Sequence, residues 1–170
     1  MEMYDQVPGR GVEPEVGVLL YALVRMFKPK VCVETGTYIG DSAEWIGRGL
    51  RDNCRGTLVT CDVNSDRVEA ARRRLQYLPN VEVREAQGID VLAGFESMDF
   101  VHIDSGQPET VRKPELLSLS EKNIAPGGVI CWHDACASAE CLYDAFAPIC
   151  DWPHLVLPSY VGMAVFVRPE

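Results

Sequence analysis

No stretch of this chain approaches the roughly 18 uninterrupted apolar residues that a membrane-crossing helix needs, so no membrane partner is expected. The opening run MEMYDQVPGR is acidic where a secretion signal would be basic and then apolar, which predicts no leader. Positive charge is scarce: 16 Lys and Arg stand against 25 Asp and Glu, a net charge of −9. A phosphate backbone would on average be repelled, and no nucleic-acid partner is expected. The run Arg72-Arg73-Arg74 reads as a solvated outer helix face. Repeats, linkers and low-complexity segments are missing too, and 170 residues leave no room for a second domain. That length still suffices to bury roughly two-thirds of the unfolded surface in one core.

A disulfide framework is also lacking. Seven Cys is an odd number, and Cys32, Cys61 and Cys131 fall inside apolar runs, where a free thiol behaves as a small hydrophobe. A reducing, cytoplasmic setting is expected. Cys131, Cys136 and Cys141 with His133 are zinc-binding types, but they lack the close Cys pairs, about two to four residues apart, that structural zinc sites favour.

What the chain does contain is an alternation of two periodicities. From Glu13 the run PEVGVLLYALVRMF sets apolar residues at helical spacing behind Pro14, which suits the first helical turn. VCVET, Val31–Thr35, is a β-branched run closed by Gly36 and reads as a buried strand. Next come a helix capped by Asp41 or Ser42, a strand at Thr57–Asp62, a helix capped by Asn64 or Ser65 running to about Tyr77, and a strand at 81–86. Strands at 99–104 and 129–134 bracket a helix at 111–122, with Pro126-Gly127-Gly128 turning the chain into the later strand. After a helix near 138–146, LVLP and VGMAVFVR form a closing antiparallel hairpin.

This alternation predicts an α/β, doubly wound, Rossmann-like fold, with a mostly parallel seven-stranded sheet and a C-terminal antiparallel hairpin. A single domain over 1–170 is expected, with a lead-in helix in 1–30, a cofactor-binding core in 31–134 and a C-terminal helix and hairpin in 135–170.

Ligands of such folds bind beyond the carboxyl ends of the strands. Those ends display Glu34 and Gly36, then Asp62, Gln87, Asp104 and Asp134. The loop Gly36-Thr37-Tyr38-Ile39-Gly40 places Tyr38 where a dinucleotide fingerprint needs a second Gly to admit pyrophosphate. A nicotinamide-dependent oxidoreductase would need a diphosphate beside Tyr38. The loop better suits a phosphate-free ligand carrying a sulfonium, a ribose and an adenine. The charge of Glu34 would repel pyrophosphate and can sit near a cationic group, while Asp62 can accept from two ribose hydroxyls. The plainer reading, that Gly36 and Gly40 only mark a tight turn, weakens once Asp62 closes the next strand.

The runs EPEVGVLLYALVRMFKPKVCVETGTYIGDSAEWI, VTCDVNSDRVEAARRRL, MDFVHIDSGQ and IAPGGVICWHDA resemble, in order and spacing, the class I S-adenosylmethionine-dependent O-methyltransferases. The branches they are similar to are the catechol and caffeoyl-CoA enzymes and the macrocin-type sugar methyltransferases, from about Pro14 to Ala135. The resemblance implies the methyltransferase form of the fold, S-adenosyl-L-methionine as cofactor, and methyl transfer to an oxygen of a small-molecule acceptor. It assigns Glu34, Gly36, Thr37, Tyr38, Gly40 and Ser42 to the methionine half of the cofactor. Asp62 matches the ribose acid, and Gln87 the adenine contact, with Ala86 in place of the usual Gly. Asp104 and Asp134 match ligands of Mg2+ or another divalent cation, and Asp104 also borders the cofactor.

Two departures qualify that assignment. The catechol branch carries an Asn ligand directly after the second Asp, and here that residue is Ala135. His133, just before Asp134, suits Mn2+, Fe2+ or Zn2+ better than Mg2+, or else serves as a capping or structural residue. Three residues beyond Asp104, where relatives carry a basic Lys or His, stands Gln107, whose amide cannot take a proton. Acidity must then come from the metal, or His102 or His133 must act as base. Asp104, Gln107 and His133 form the expected catalytic set.

Asp104 and Asp134 would close neighbouring strands about 5 Å apart, and they repel unless one is protonated or a cation lies between them. The alternative is a non-catalytic S-adenosylmethionine-binding protein of the same fold, for which Ala135 and Gln107 speak. The site reads as open, so a large substrate or the second subunit of a homodimer would cover it. Trp132, Trp152 and Tyr160 are the aromatics available for a pocket or interface.

Overall fold

The computed structural model describes residues 11–106, 108–135, 149–157 and 162–170. The acidic opening, Gln107, Cys136, Cys141, Tyr160 and the helix expected near 138–146 lie outside the described residues.

Seven strands form one sheet: β1 (Val31–Thr35), β2 (Thr57–Asp62), β3 (Val81–Glu85), β4 (Met98–Ile103), β5 (Ile124–His133), β6 (His154–Leu157) and β7 (Met163–Val167). Their order is β3-β2-β1-β4-β5-β7-β6, with β1 to β5 parallel and β7 antiparallel to both its neighbours. The chain winds outward from β1 to β3 and returns to β4 beside β1, so the switch in strand order falls between β1 and β4. Pairing of Glu34 with His102, and of Ile103 with Trp132, brings the carboxyl ends of β1, β4 and β5 to one edge.

The helices are α1 (Pro14–Phe27), α2 (Asp41–Asp52), α3 (Ser65–Leu75), α4 (Gly88–Ala93) and α5 (Lys113–Leu117), with a π-helical turn at Pro108–Arg112. Because side chains alternate across a strand, Cys32 and Phe100 face α1, α2 and α3 in a core that includes Leu20, Ile46 and Val68. Val33 and Val101 face the other way, among Leu92, Leu116 and Trp132. Both faces are covered, which is why VCVET reads as a continuous apolar run. Trp132 and Trp152 belong to the second core at 2% and 5% exposure, so neither lines an open pocket. No helix among the described residues is long and apolar enough to cross a membrane.

Several boundaries differ from expectation. The helix expected at 111–122 is the π-helical turn and a short α5; it ends where the Ser118 hydroxyl donates to the Glu115 carbonyl and the Asn123 amide donates to the Ser118 carbonyl. β5 starts at Ile124 opposite Met98, yet Phe100 already faces Val129, so 125–128 bulge out and Pro126-Gly127-Gly128 turns within the strand. Helix α4 went unread because its run is short and opens on Gly88. Asn64 caps α3, its side chain accepting from the Arg67 amide at 3.1 Å. Helix α2 is capped instead by Gly40 in the left-handed region, and the Asp41 carboxylate accepts from the Gly11 amide at 2.6 Å and pairs with Arg74.

Candidate active site

The β1 loop is drawn tight by two backbone bonds, the Gly36 and Thr37 amides both donating to the Cys61 carbonyl at 2.9 Å. Gly36 has φ +87°, and a Cβ there would lie 2.3 Å from the Asp104 carbonyl oxygen, so only Gly lets the ends of β1 and β4 meet. Tyr38 also stands in the left-handed region at φ +48°, and its amide donates to Asp62 Oδ2 at 3.0 Å. Asp62 Oδ1 accepts from the Asn64 amide at 2.9 Å, which leaves accepting capacity on both carboxylate oxygens. The Arg67 guanidinium lies 4.9 Å from the centre of the Tyr38 ring and 3.9 Å from Asp62. Val63 and Ile89, directly after Asp62 and Gly88, are apolar yet 58% and 38% exposed. Gln87 caps α4 by position and its side chain is exposed, while Ser42 is buried in the first turn of α2.

Glu34 is placed otherwise than expected. It is fully buried: Oε1 meets His102 Nδ1 at 3.0 Å, and Oε2 accepts from the Thr60 hydroxyl at 2.5 Å. Thr60 in turn shares a short hydrogen bond with Thr37, so Glu34 braces the loop from below. On the opposite face of the sheet Glu115 is buried, accepting from the Thr35 hydroxyl at 2.7 Å and the Ser105 hydroxyl at 2.5 Å. Burial raises the Glu115 pKa against the opposing pull of those bonds and of Arg112.

At the ends of β4 and β5 the structure brings together Asp104, His133 and Asp134, the last at φ +60°. His133 Nδ1 lies 3.1 Å from Asp104 Oδ1 and Nε2 lies 2.9 Å from Oε2 of Glu13, the residue that precedes α1. Burial works against the charged ring, but the hydrogen bonds to Asp104 and Glu13 and the nearby charges outweigh it, and its pKa is pushed up to about 10. His133 therefore keeps its proton at neutral pH and cannot serve as base. His102, fully buried against Glu34, cannot reach an acceptor either. A surface hollow of about 460 Å3 beside Phe27, Pro126 and Arg168 lies at the opposite edge of the sheet.

Each of Asp104, His133 and Asp134 offers a ligand atom, and these atoms lie within 4.8 Å of one another. The donor types suit a divalent ion; the arrangement does not. The Arg112 guanidinium occupies the space between the carboxylates, Nη1 2.5 Å from Asp134 Oδ2 and Nη2 3.7 Å from Asp104 Oδ1. Both ring nitrogens of His133 are meanwhile committed to carboxylates. The repulsion expected between the two Asp is thus met by a side chain. Arg112, Glu13 and Glu115 escape the sequence reading because each meets partners far away in sequence that no local pattern marks, and Arg67 escapes it as one charge among several on α3.

A family described as a methyltransferase domain matches residues 33–135. A protein of Mycolicibacterium smegmatis named "Putative O-methyltransferase" is 30% identical over 140 residues, covering 79% of this chain and 64% of that protein. One so named from Mycobacterium sp. strain JLS is 32% identical over 130 residues, covering 73% of this chain and 57% of that protein. The chain spans about three-fifths of the length of these relatives. Among solved structures, the O-methyltransferase from Bacillus cereus in complex with SAH matches with TM-score 0.75 and 24% identity, over 95% of this chain and 84% of that one. The O-methyltransferase TomG from Streptomyces achromogenes in complex with SAM matches with TM-score 0.77 and 22% identity, over 96% and 83%. These likenesses establish the seven-stranded, mostly parallel fold.

Proposed function

We propose that this chain, which belongs to the methyltransferase domain family, is a class I S-adenosylmethionine-dependent O-methyltransferase that methylates an oxygen of a small-molecule acceptor. The observation that carries this reading is the joint placement of Tyr38 and Asp62. The Tyr38 amide fixes the Asp62 carboxylate at the carboxyl edge of the sheet with accepting capacity to spare, and the partly exposed Tyr38 holds the loop position where a dinucleotide fingerprint needs Gly to admit pyrophosphate. Asp62 would hold the ribose hydroxyls. The exposed apolar faces of Val63 and Ile89, following neighbouring strands, would flank the adenine beside Gln87. When bound, the cofactor supplies an electrophilic methyl group on a sulfonium. The protein's contribution is alignment, which lowers the barrier without covalent chemistry.

A second reading, in which Asp104, His133 and Asp134 hold a divalent cation, draws on the clustering of their ligand atoms within 4.8 Å. It requires Arg112 to swing away and His133 to lose its proton.

Calorimetry with S-adenosylhomocysteine and with NAD tests the main reading. S-adenosylhomocysteine should bind at micromolar affinity and raise the melting temperature, since a ligand that binds only the native state stabilises it by mass action. NAD should do neither. Binding of NAD with no response to S-adenosylhomocysteine would end the methyltransferase assignment.

A further inference from the structure

The structure assigns Arg112 as the resident cation of the acceptor site, in place of a divalent metal; the inference rests on the methyl-transfer reading above. Arg112 is 7% exposed and is held from several sides. Nε donates to the Ser105 carbonyl at 2.5 Å and Nη1 to the His133 carbonyl at 3.1 Å, and Nη1 also forms an ion pair with Asp134 Oδ2 at 2.5 Å. A guanidinium has five N–H groups in a rigid fork and stays charged in proteins. These contacts engage the Nε and Nη1 donors. Nη2 faces Asp104 Oδ1 at 3.7 Å, beyond hydrogen-bond reach, and makes no hydrogen bond among the described residues, so its N–H groups can meet an incoming oxygen.

The chain places this side chain by an irregularity. Residues Pro108–Arg112 form a π-helical turn, a wider winding often found at functional sites, before α5 resumes at Lys113. Two backbone carbonyls, from the ends of β4 and β5, then fix the guanidinium between the carboxylates. A divalent ion entering the same space would lie against a permanent positive charge in a partly desolvated site, where like charges repel strongly.

The position also fits an acceptor. Asp104 lies between Arg112 and the β1 loop, since the Gly36 backbone packs on the Asp104 backbone. An acceptor hydroxyl on Nη2 would therefore stand at the boundary between the two halves of the site. In the transfer the acceptor O–H proton leaves to water past Asp134, which is 23% exposed. An oxygen lone pair forms the new C–O bond, and the electrons of the broken C–S bond return to sulfur as a neutral thioether.

The test measures Mn2+ binding by electron paramagnetic resonance, on this chain after chelator treatment and saturation with S-adenosylhomocysteine. The parent should bind no Mn2+ at millimolar metal. Arg112→Gln, which uncovers the carboxylates, should gain Mn2+ affinity by roughly ten-fold or more, while Arg112→Lys, which keeps the charge, should behave as the parent. A role confined to packing would not create a metal site on charge removal. Tight Mn2+ binding by the parent overturns the assignment, and so does a folded Arg112→Gln protein that gains no affinity. If that variant does not fold, the parent and Arg112→Lys decide the matter. Calorimetric titration of S-adenosylhomocysteine into ligand-free parent protein, before it is saturated for the Mn2+ measurement, separates the two claims: absence of that binding sinks the methyltransferase reading, whatever Mn2+ does.

Discussion

Asp62 shows how one residue can tie a loop in place and still keep capacity to accept from a ligand. Its two oxygens accept from the Tyr38 and Asn64 amides, at 3.0 and 2.9 Å, and so tie the β1 loop to the start of α3. The spare capacity on each oxygen is what a ribose diol requires. Asp62→Ala removes two hydrogen bonds to a charged acceptor and should weaken S-adenosylhomocysteine binding by about 2 to 3 kcal/mol. The strand itself should survive, because Leu58 and Cys61 remain buried on its two faces. Isothermal titration of the variant checks this; unchanged affinity would show that the ribose lies elsewhere. Glu34 teaches the converse. A carboxylate at a strand end looks like a ligand contact in the sequence, yet here its charge is spent on His102 and Thr60 beneath the loop.

Helices α1 and α2 approach each other closely. A Cβ on Gly17 would lie 2.2 Å from Trp45 Nε1, and one on Gly49 would lie 2.8 Å from a methyl of Val24, so each helix offers a glycine to a side chain of the other. Gly17→Ala would gain about 1 kcal/mol of helix propensity. Overpacking against the indole costs about 1 to 3 kcal/mol, so the net effect should be destabilising. Urea unfolding measures it, and a midpoint equal to or above the parent's would mean that Trp45 swings aside freely. The seat of α1 matters for chemistry, since Glu13 at its start is bonded to His133 and closes one side of the acceptor region.

For the molecule as a whole, that same bond sets a pH window. The native pKa of His133 is pushed up to about 10, so its contribution is complete below its unfolded value near 6.5 and is lost as pH rises through about 10. Glu13 is shifted the other way, chiefly by its bond to His133, and its contribution is present above its unfolded value and lost as pH falls through its lowered native one. The melting temperature should decline from about pH 7 towards pH 10 in the parent. In Glu13→Gln it should start lower at pH 6 and decline less on the alkaline side, because the His133 pKa is then less elevated. Parallel curves for the two proteins would show that the bond does not persist in solution.

The sequence by itself determined four strands of the parallel core to within a residue and the later half of β5, the polar groups at their carboxyl ends and the tight turn at Gly36. All of these follow from local periodicity and from backbone limits that act over a few residues. Only the tertiary structure decided which of those polar groups keep capacity at the sheet edge and which are consumed inside. Glu34 meets His102 68 positions away, Glu13 meets His133 120 positions away, and Arg112 enters the gap between Asp104 and Asp134 through a π-helical turn. Such pairings depend on how whole elements pack and where long side chains then point. A carboxylate pair without its cation reads as a metal site; the folded chain fills it with a guanidinium.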